Sequence, residues 1–280
     1  MKFLAVLMIW SQLATPQIRS GTVIYANFEK DEITIASDSR TNIPGRDEHD
    51  DTECKIVALS PKFIFSLAGI AERSNHWNAF EVARESWKTE SAKPPTADLL
   101  DRVALEWVLK MEKFYADPYV IADLRAHMTD EPIVVTAIFA AADNAGTLRM
   151  KAVDISFDKL LFDNTQQVKL IDNITEIPAH SHITMGHDEV AIEFHDMTSQ
   201  RAKDYMAWYV PQMAGTTVSE KQAELASKLI ELSVLLHPNN SELGFPIEVL
   251  QLRQNGGVHW VSHKAKCRNE ISQQIKAASP

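Results

Sequence analysis

The order in which strand patterns and helix patterns follow one another limits the folds open to this chain more than any other feature. β-rich segments come first, two helical segments follow, strands return from residue 133, and a long helix at residues 223–236 precedes two last strands. Grouped strands of this kind favour α+β layers over an alternating βαβ sheet. We therefore predict antiparallel sheets covered by helices.

Short turn segments divide the strand patterns into pairs. They lie at residues 29–32, 60–62, 144–146 and 254–257, and each separates two apolar or alternating segments. Four β-hairpins are predicted on this basis.

The helical segments have apolar residues at the spacing of an amphipathic helix. The Trp and Met residues of 77–87 and 100–111 follow this spacing, which is typical of core packing rather than of a ligand site. Ser219 with Gln222 fits the capping-box pattern, so we predict that the last long helix begins there.

The composition excludes some classes of partner. The chain has 280 residues, 45% of them hydrophobic, which allows one large domain or two small ones. Its formal net charge is -10, so we expect no binding to nucleic acid or to anionic membranes. The acidic run at residues 47–51 is interpreted as a solvated loop rather than a cation site.

Cys54 and Cys267 are the chain's two cysteines. Without a CxxC motif or a Cys/His cluster we expect no structural zinc, no other metal and no cofactor. One disulfide bond or two free thiols both remain open.

Residues 1–21 have the layout of a leader. Lys2 precedes an apolar stretch, Phe3–Trp10, and a polar stretch follows, as in a secretory signal peptide. Eight apolar residues are too few to span a bilayer, so no integral membrane segment is expected. Cleavage after Ala14 would leave a pro-peptide that ends at Gly21; the alternatives to a signal peptide are a short pro-segment or the start of a buried helix.

Several residues around the first two hairpins have side chains or backbones suited to catalysis. Thr22 opens the first strand, and Asp38, Ser39 and Arg40 form a polar trio at the end of the second. A surface salt bridge is the simpler interpretation of that trio. Lys55 opens the next strand pair and Gly69 closes it, where a missing side chain lets a ligand approach a backbone N–H.

Together these residues resemble the active-site pattern of proteasome β-type subunits, including the HslV and Anbu branches. The segment "GTVIYANFEKDEITIASDSRTN" carries the Gly-Thr junction and the "ADSR"-like strand end, and a lysine and an "AG" follow. The resemblance extends more loosely to about Ser262. It implies a four-layer αββα Ntn-hydrolase domain at residues 22–262, with two antiparallel sheets between helical layers, and a polar tail at 263–280.

The resemblance also implies a mechanism. Thr22 would be released by self-cleavage of the Gly21–Thr22 bond, and its own α-amine would then serve as general base. Lys55 would be the neighbouring cation and Asp38 would orient it. The backbone N–H of Gly69 would stabilise the oxyanion, with Ser39 and Arg40 in support.

Substrate-binding residues are implied in the same way. Thr41 and Asn42 would pair with an extended peptide by strand addition. Leu67 falls at the floor of the first specificity pocket, although it is equally suited to the core, and Ala71 falls beside that pocket.

The sequence departs from the family pattern at two places. Gly186 and His187 stand in "TMGHDE", where the family has a supporting serine in a "GSG" turn, so His187 is either a member of the network or a structural histidine. The family's second Asp and Ser are replaced by residues 239–242, "NNSE".

We predict from these features a threonine peptidase that acts on peptides within a homo-oligomeric ring. A catalytically silent subunit of such a ring, which keeps Gly21 attached, is one alternative. An Ntn amidase for small amides is another. If the leader is a signal peptide, the protein is exported to the periplasm or cell exterior and meets no ATP-driven unfoldase; otherwise it is cytoplasmic and an ATPase partner is open.

Overall fold

Two five-stranded antiparallel sheets form the centre of the molecule. The computed structural model describes residues 18–19, 22–42, 49–50, 54–73, 77–94, 98–118, 120–122, 133–158, 169–236, 243–264 and 267. The strands are β1 (Ile18–Arg19), β2 (Val23–Phe28), β3 (Glu32–Ser37), β4 (Thr41–Asn42), β5 (His49–Asp50), β6 (Ile56–Ser60), β7 (Phe63–Gly69), β8 (Glu72–Arg73), β9 (Trp77–Asn78), β10 (Ile133–Ala142), β11 (Leu148–Phe157), β12 (Leu170–Ile177), β13 (Ser181–Gly186), β14 (Glu248–Arg253) and β15 (Gly257–Ser262).

The helices lie between these strand groups. They are α1 (Ala79–Ser91), α2 (Leu99–Tyr115), α3 (Glu189–His195), α4 (Gln200–Tyr209) and α5 (Val218–Leu236), and a 3-10 turn, Val210–Met213, follows α4. Within the described residues no helix is long and apolar enough to cross a bilayer.

Each sheet contains two of the predicted hairpins. The first sheet has the order β12-β11-β10-β7-β6 and the second the order β13-β2-β3-β14-β15. All four hairpins form, because each turn segment allows the chain to reverse between two apolar strands. The predicted α+β fold with antiparallel sheets is confirmed.

Three apolar clusters bury the faces of these sheets. Side chains of both sheets meet in one cluster, which includes Ile35, Ile64 and Ile138. A second lies between the first sheet and helices α1 and α2, where Trp107 is fully buried. The third lies between the second sheet and helices α3 to α5. Both faces of β10 are therefore covered, which explains its nearly continuous apolar sequence.

The predicted capping box at the last long helix is wrong by two residues. Helix α5 begins at Val218, where Thr217 Oγ1 accepts from the Glu220 N–H (3.2 Å) and Glu220 Oε2 accepts from the Thr217 N–H (2.8 Å). The Ser219 hydroxyl instead contacts the buried Glu32 carboxylate, so it is not free to cap the helix.

A short strand pair that we did not predict includes two residues of the acidic run at 47–51, which the sequence analysis interpreted as a solvated loop. β4 pairs with β5, with Thr41 opposite Asp50 and Asn42 opposite His49. Other residues of the acidic run lie outside the described residues.

Cys54 and Cys267 form a disulfide bond. Their Cα atoms lie 5.7 Å apart although 213 residues separate them in sequence. This settles the alternative that the sequence left open. The bridge joins the residue before Lys55 to the C-terminal part of the chain.

Candidate active site

The β2–β3 hairpin brings Thr22 and Asp38 together. Ile24 lies opposite Ser37, so the residue before β2 and the residue after β3 are neighbours. Thr22 Oγ1 donates to Asp38 Oδ1 at 2.6 Å, and the Thr22 residue is only 2% exposed.

Asp38 is fully buried, and both of its carboxylate oxygens accept hydrogen bonds. Its Oδ1 also accepts from the Val23 N–H (3.0 Å), and its Oδ2 accepts from the N–H groups of Arg40 (3.0 Å) and Gly244 (3.2 Å). Backbone donors of this kind hold the carboxylate in position.

Lys55 completes the group through the same carboxylate oxygen. Its Nζ lies 3.2 Å from Asp38 Oδ1 and also donates to the carbonyl of Arg40. The Thr22 hydroxyl and the Lys55 ammonium therefore share one acceptor atom. Burial lowers the pKa of the Lys55 ammonium from its usual 10.5, and the neighbouring Asp38 opposes that shift.

The backbone of Lys55 is fixed by two buried side chains that sequence analysis missed. Its N–H donates to Glu248 Oε2 (3.2 Å), and its carbonyl accepts from the Ser66 hydroxyl (2.8 Å). Burial raises the pKa of the fully buried Glu248 carboxyl, although nearby Lys264 and Lys55 lower it. A glutamate inside the apolar segment "FPIEVLQL" is the one signal that could have marked it.

The turn at Gly186 and His187 packs on the backbone of Thr22. The His187 N–H donates to the Thr22 carbonyl at 3.0 Å. Gly186 has φ +80°, and a Cβ there would lie 2.0 Å from the Thr22 carbonyl oxygen. These two predicted supporting residues therefore lie at the site, where His187 contacts Thr22 through its backbone N–H.

Gly69 also needs to be glycine. Its φ is +105°, and a Cβ would lie 2.5 Å from the carbonyl oxygen of Val134. It ends β7 one residue after Ala68, whose Cβ would lie 3.3 Å from a Cβ at Gly186. Gly69 is thus near the Thr22 turn; its oxyanion role stays a prediction.

Ser39 and Arg40 connect the site to the segment before β14. The Ser39 N–H donates to the Gly244 carbonyl (3.0 Å), and its hydroxyl donates to the carbonyl of Pro246. Arg40 contributes backbone atoms, its N–H to Asp38 and its carbonyl to Lys55.

The predicted substrate-binding residues are less directly placed. One edge of Thr41 and Asn42 is already paired with β5, so the predicted strand addition of a peptide would have to use the opposite edge. Leu67 is 2% exposed and belongs to the apolar cluster beneath α1 and α2, and Ala71 packs partly buried against that cluster. Their roles in specificity stay predictions.

Some predicted positions lie outside the described residues. These are the leader at 1–17, Gly21 at the predicted cleavage site, residues 239–242 and most of the tail after residue 264.

Among the described residues, two groups have side chains of metal-ligating type. Cys54, Glu248 and Cys267 form one, but its sulfur atoms are bonded to each other and so provide no thiolate. The other is His182, His195 and Asp196, away from Thr22 on the outer face of the second sheet.

Comparison with known proteins finds the fold among solved structures. One is "Anbu (ancestral beta-subunit) from Yersinia bercovieri", at 14% identity and TM-score 0.52 over 92% of this chain and 97% of that chain. This chain has the fold of an Anbu subunit. A second is "Helical Assembly of the Anbu Complex from Pseudomonas aeruginosa", at 14% identity and TM-score 0.54 over 91% of this chain and 93% of that chain. No protein-family model and no curated protein sequence matches the chain.

Proposed function

We propose that this protein is an N-terminal-threonine peptidase of proteasome-subunit type, with the four-layer αββα architecture of an Ntn hydrolase. One observation carries the proposal: the Thr22 hydroxyl and the Lys55 ammonium bond to the same buried oxygen of Asp38. The Anbu-like fold supports it. A structural salt bridge would not require a threonine hydroxyl on the same oxygen.

Activation begins with the chain's own Gly21–Thr22 peptide bond. Thr22 Oγ attacks the Gly21 carbonyl carbon as its proton passes to Asp38, the hydrogen-bond partner of the hydroxyl. The C–N bond breaks, the Thr22 nitrogen takes up the proton, and Gly21 is held as an ester on Oγ. Water hydrolyses the ester, which frees the Gly21 carboxylate, the Thr22 hydroxyl and the Thr22 α-amine.

The freed amine then serves as the base for peptide cleavage. It accepts the Oγ proton as Oγ attacks the substrate carbonyl, and the Gly69 N–H stabilises the oxyanion. The amine returns the proton to the leaving nitrogen, and water hydrolyses the acyl ester. The nearby Lys55 ammonium lowers the pKa of this α-amine, which keeps more of it neutral and basic.

Two further features support a cellular location and an oligomeric state for the proposed enzyme. The Cys54–Cys267 bond supports export to an oxidising compartment, since such bonds rarely persist in the cytosol. One of the structural neighbours is a helical assembly, which supports homo-oligomerisation of this chain.

A silent subunit is the second candidate function, because Thr22 is buried in the uncut chain. If the Gly21–Thr22 bond is never cut, the hydroxyl stays out of reach of any substrate.

The deciding experiment compares the full chain with Thr22→Ala and Lys55→Ala variants. We expect N-terminal sequencing to find Thr22 first in the wild type and the Gly21 bond intact in Thr22→Ala. Lys55→Ala should lower the rate of cleavage of a peptide panel by about 10²-fold or more. Circular dichroism controls for folding.

Three results would redirect the proposal. An uncut wild type supports the silent subunit. Cleavage of small acyl amides but not of peptides supports an amidase. Ordinary activity in Lys55→Ala removes the catalytic assignment.

A further inference from the structure

A group of three ligand-type side chains lies on the outer face of the second sheet. His182 is on β13, His195 ends α3, and Asp196 follows it. Asp196 Oδ1 lies 2.8 Å from His195 Nδ1 and 3.7 Å from His182 Nε2, and the three ligand atoms lie within 4.8 Å of one another. We call it the His182–His195–Asp196 cluster.

The fold holds both imidazole rings against one buried side chain. Tyr25 is 2% exposed, and its ring centroid lies 6.0 Å from that of His182 and 5.5 Å from that of His195. The two imidazole centroids are 3.6 Å apart. Because β13 is paired with β2 and α3 packs on the same sheet, the backbones of the two histidines are held close to each other.

The distances suit a small ion with nitrogen and oxygen ligands. Zn²⁺ binds His nitrogen and carboxylate oxygen at about 2.0–2.2 Å, which places tetrahedral ligand atoms about 3.3–3.5 Å apart. The two measured separations, 2.8 and 3.7 Å, lie on either side of that value. The 2.8 Å contact is a hydrogen bond between His195 and Asp196, which metal binding would replace. The three ligand atoms all lie within 4.8 Å of one another, so rotation of the partly exposed side chains would close the site.

The ligand chemistry also selects the class of metal. Two imidazoles and one carboxylate suit Zn²⁺ and its first-row neighbours, whereas Mg²⁺ and Ca²⁺ prefer oxygen ligands. All three side chains are partly exposed, so an ion can enter from solvent and keep water as a fourth ligand.

We propose that His182, His195 and Asp196 bind one divalent transition-metal ion of the Zn²⁺ type. The ion would link the beginning of β13 to the end of α3. The turn between these two elements contains Gly186 and His187, which contact the Thr22 backbone. The metal would therefore brace the turn that supports Thr22, and this role does not depend on whether Thr22 is catalytic.

The test measures metal binding directly. The full chain with Thr22→Ala, which keeps one covalent form, is stripped with a chelator and titrated with Zn²⁺ by calorimetry. Co²⁺ is titrated in parallel, because its absorption bands report a low-symmetry N/O site. We expect one ion per chain and a higher melting temperature in its presence.

Ligand variants separate this site from adventitious binding. His182→Ala and His195→Ala should each weaken Zn²⁺ binding by about 100-fold or more, and Asp196→Asn by about 10-fold or more. His180→Ala is the matched control, because this nearby, exposed histidine bonds to Glu29 and lies outside the cluster. The affinity of this variant for Zn²⁺ should equal that of the parent protein.

Either of two results overturns the proposal. One is Zn²⁺ affinity that is unchanged in the three ligand variants. The other is an equal loss in His180→Ala, which would mean adsorption to surface histidines. Asp196 is the most exposed ligand, so its variant should fold normally and keep the test valid if a histidine variant does not.

Discussion

At the scale of single residues, the candidate site depends on one carboxylate. Asp38 connects the Thr22 hydroxyl, the Lys55 ammonium and three backbone N–H groups without exposure to solvent. All of these groups donate to Asp38, whose carboxylate oxygens accept. The Thr22 hydroxyl, the Lys55 ammonium and the strand ends are consequently held by a single group.

Gly186→Ala should disturb Thr22 specifically. The new Cβ would meet the Thr22 carbonyl oxygen at 2.0 Å, so the turn must move away. We expect a loss of about 1–3 kcal/mol in the free energy of unfolding and little or no cleavage after Gly21. Urea unfolding and N-terminal sequencing measure the two effects.

Gly215→Ala is the matched control for that change. Gly215 has a similar φ of +93°, but nothing lies within 4 Å of its Cβ position. It should show the backbone strain alone and normal cleavage. Equal loss of cleavage in both variants would contradict a role for the Gly186 contact.

Glu248→Gln should change how stability depends on pH. Because the folded pKa of Glu248 is raised above 4.5, its contribution to stability is complete below pH 4.5 and is lost as pH rises through the folded pKa. We therefore expect Glu248→Gln to be more stable relative to wild type at pH 7.5 than at pH 4.5, by urea unfolding.

The exposed Glu85 provides the comparison, with a side chain that is 71% exposed. Glu85→Gln controls for the effect of a glutamate-to-glutamine change itself, with its free energy of unfolding measured at the same two pH values. The result that contradicts this prediction is a difference in the free energy of unfolding between wild type and Glu248→Gln that does not vary with pH. It would show that the pKa of the buried carboxyl is not raised.

At the scale of secondary structure, the four hairpins were predictable, whereas some elements between them were not. Each hairpin combines two apolar strands with a short turn, which local sequence determines: β2–β3, β6–β7, β10–β11 and β14–β15. We did not predict β12 or α3. β12 is an edge strand with mostly exposed residues and no alternating pattern, and α3 has only seven residues.

The start of α5 gives a test at this scale. Glu220→Ala should lower the free energy of unfolding measurably, because the Thr217 N–H loses its side-chain partner. Gln222→Ala, in the box that we first predicted, should change stability by less than about 0.5 kcal/mol. Equal costs would contradict the observed cap.

At the scale of the whole molecule, the residues of the site that are close in sequence could be predicted. Those that reach the site from far along the chain could not. Thr22, Asp38 and Lys55 come from neighbouring hairpins, so spacing and resemblance were enough to group them. Gly244 donates to Asp38 across 206 residues, and Glu248 reaches Lys55 across 193. Such contacts depend on the pairing of β14 with β3, which no local pattern specifies. The two histidines of the His182–His195–Asp196 cluster are 13 positions apart and were not predicted as ligands, because α3, which places His195 beside His182, was not predicted.

Removal of the disulfide tests the stability of the whole fold. Cys54→Ser with Cys267→Ser opens a closed loop of 213 residues and should lower the free energy of unfolding by about 2–5 kcal/mol. Reduction of the wild type should reproduce this loss, measured by urea unfolding with and without a thiol reductant. A reduced wild type as stable as the oxidised one would contradict it.

The covalent link beside Lys55 also implies an order of maturation. Cys54 directly precedes Lys55 in the chain. In a newly made chain, whose thiols are still free, the segment that carries Lys55 is therefore not yet bonded to the C-terminal part. If the chain cleaves itself as we propose, oxidation should then come before self-cleavage. In a time course that quenches thiols by alkylation, chains cut after Gly21 should carry no alkyl label, and the label should appear on uncut chains alone.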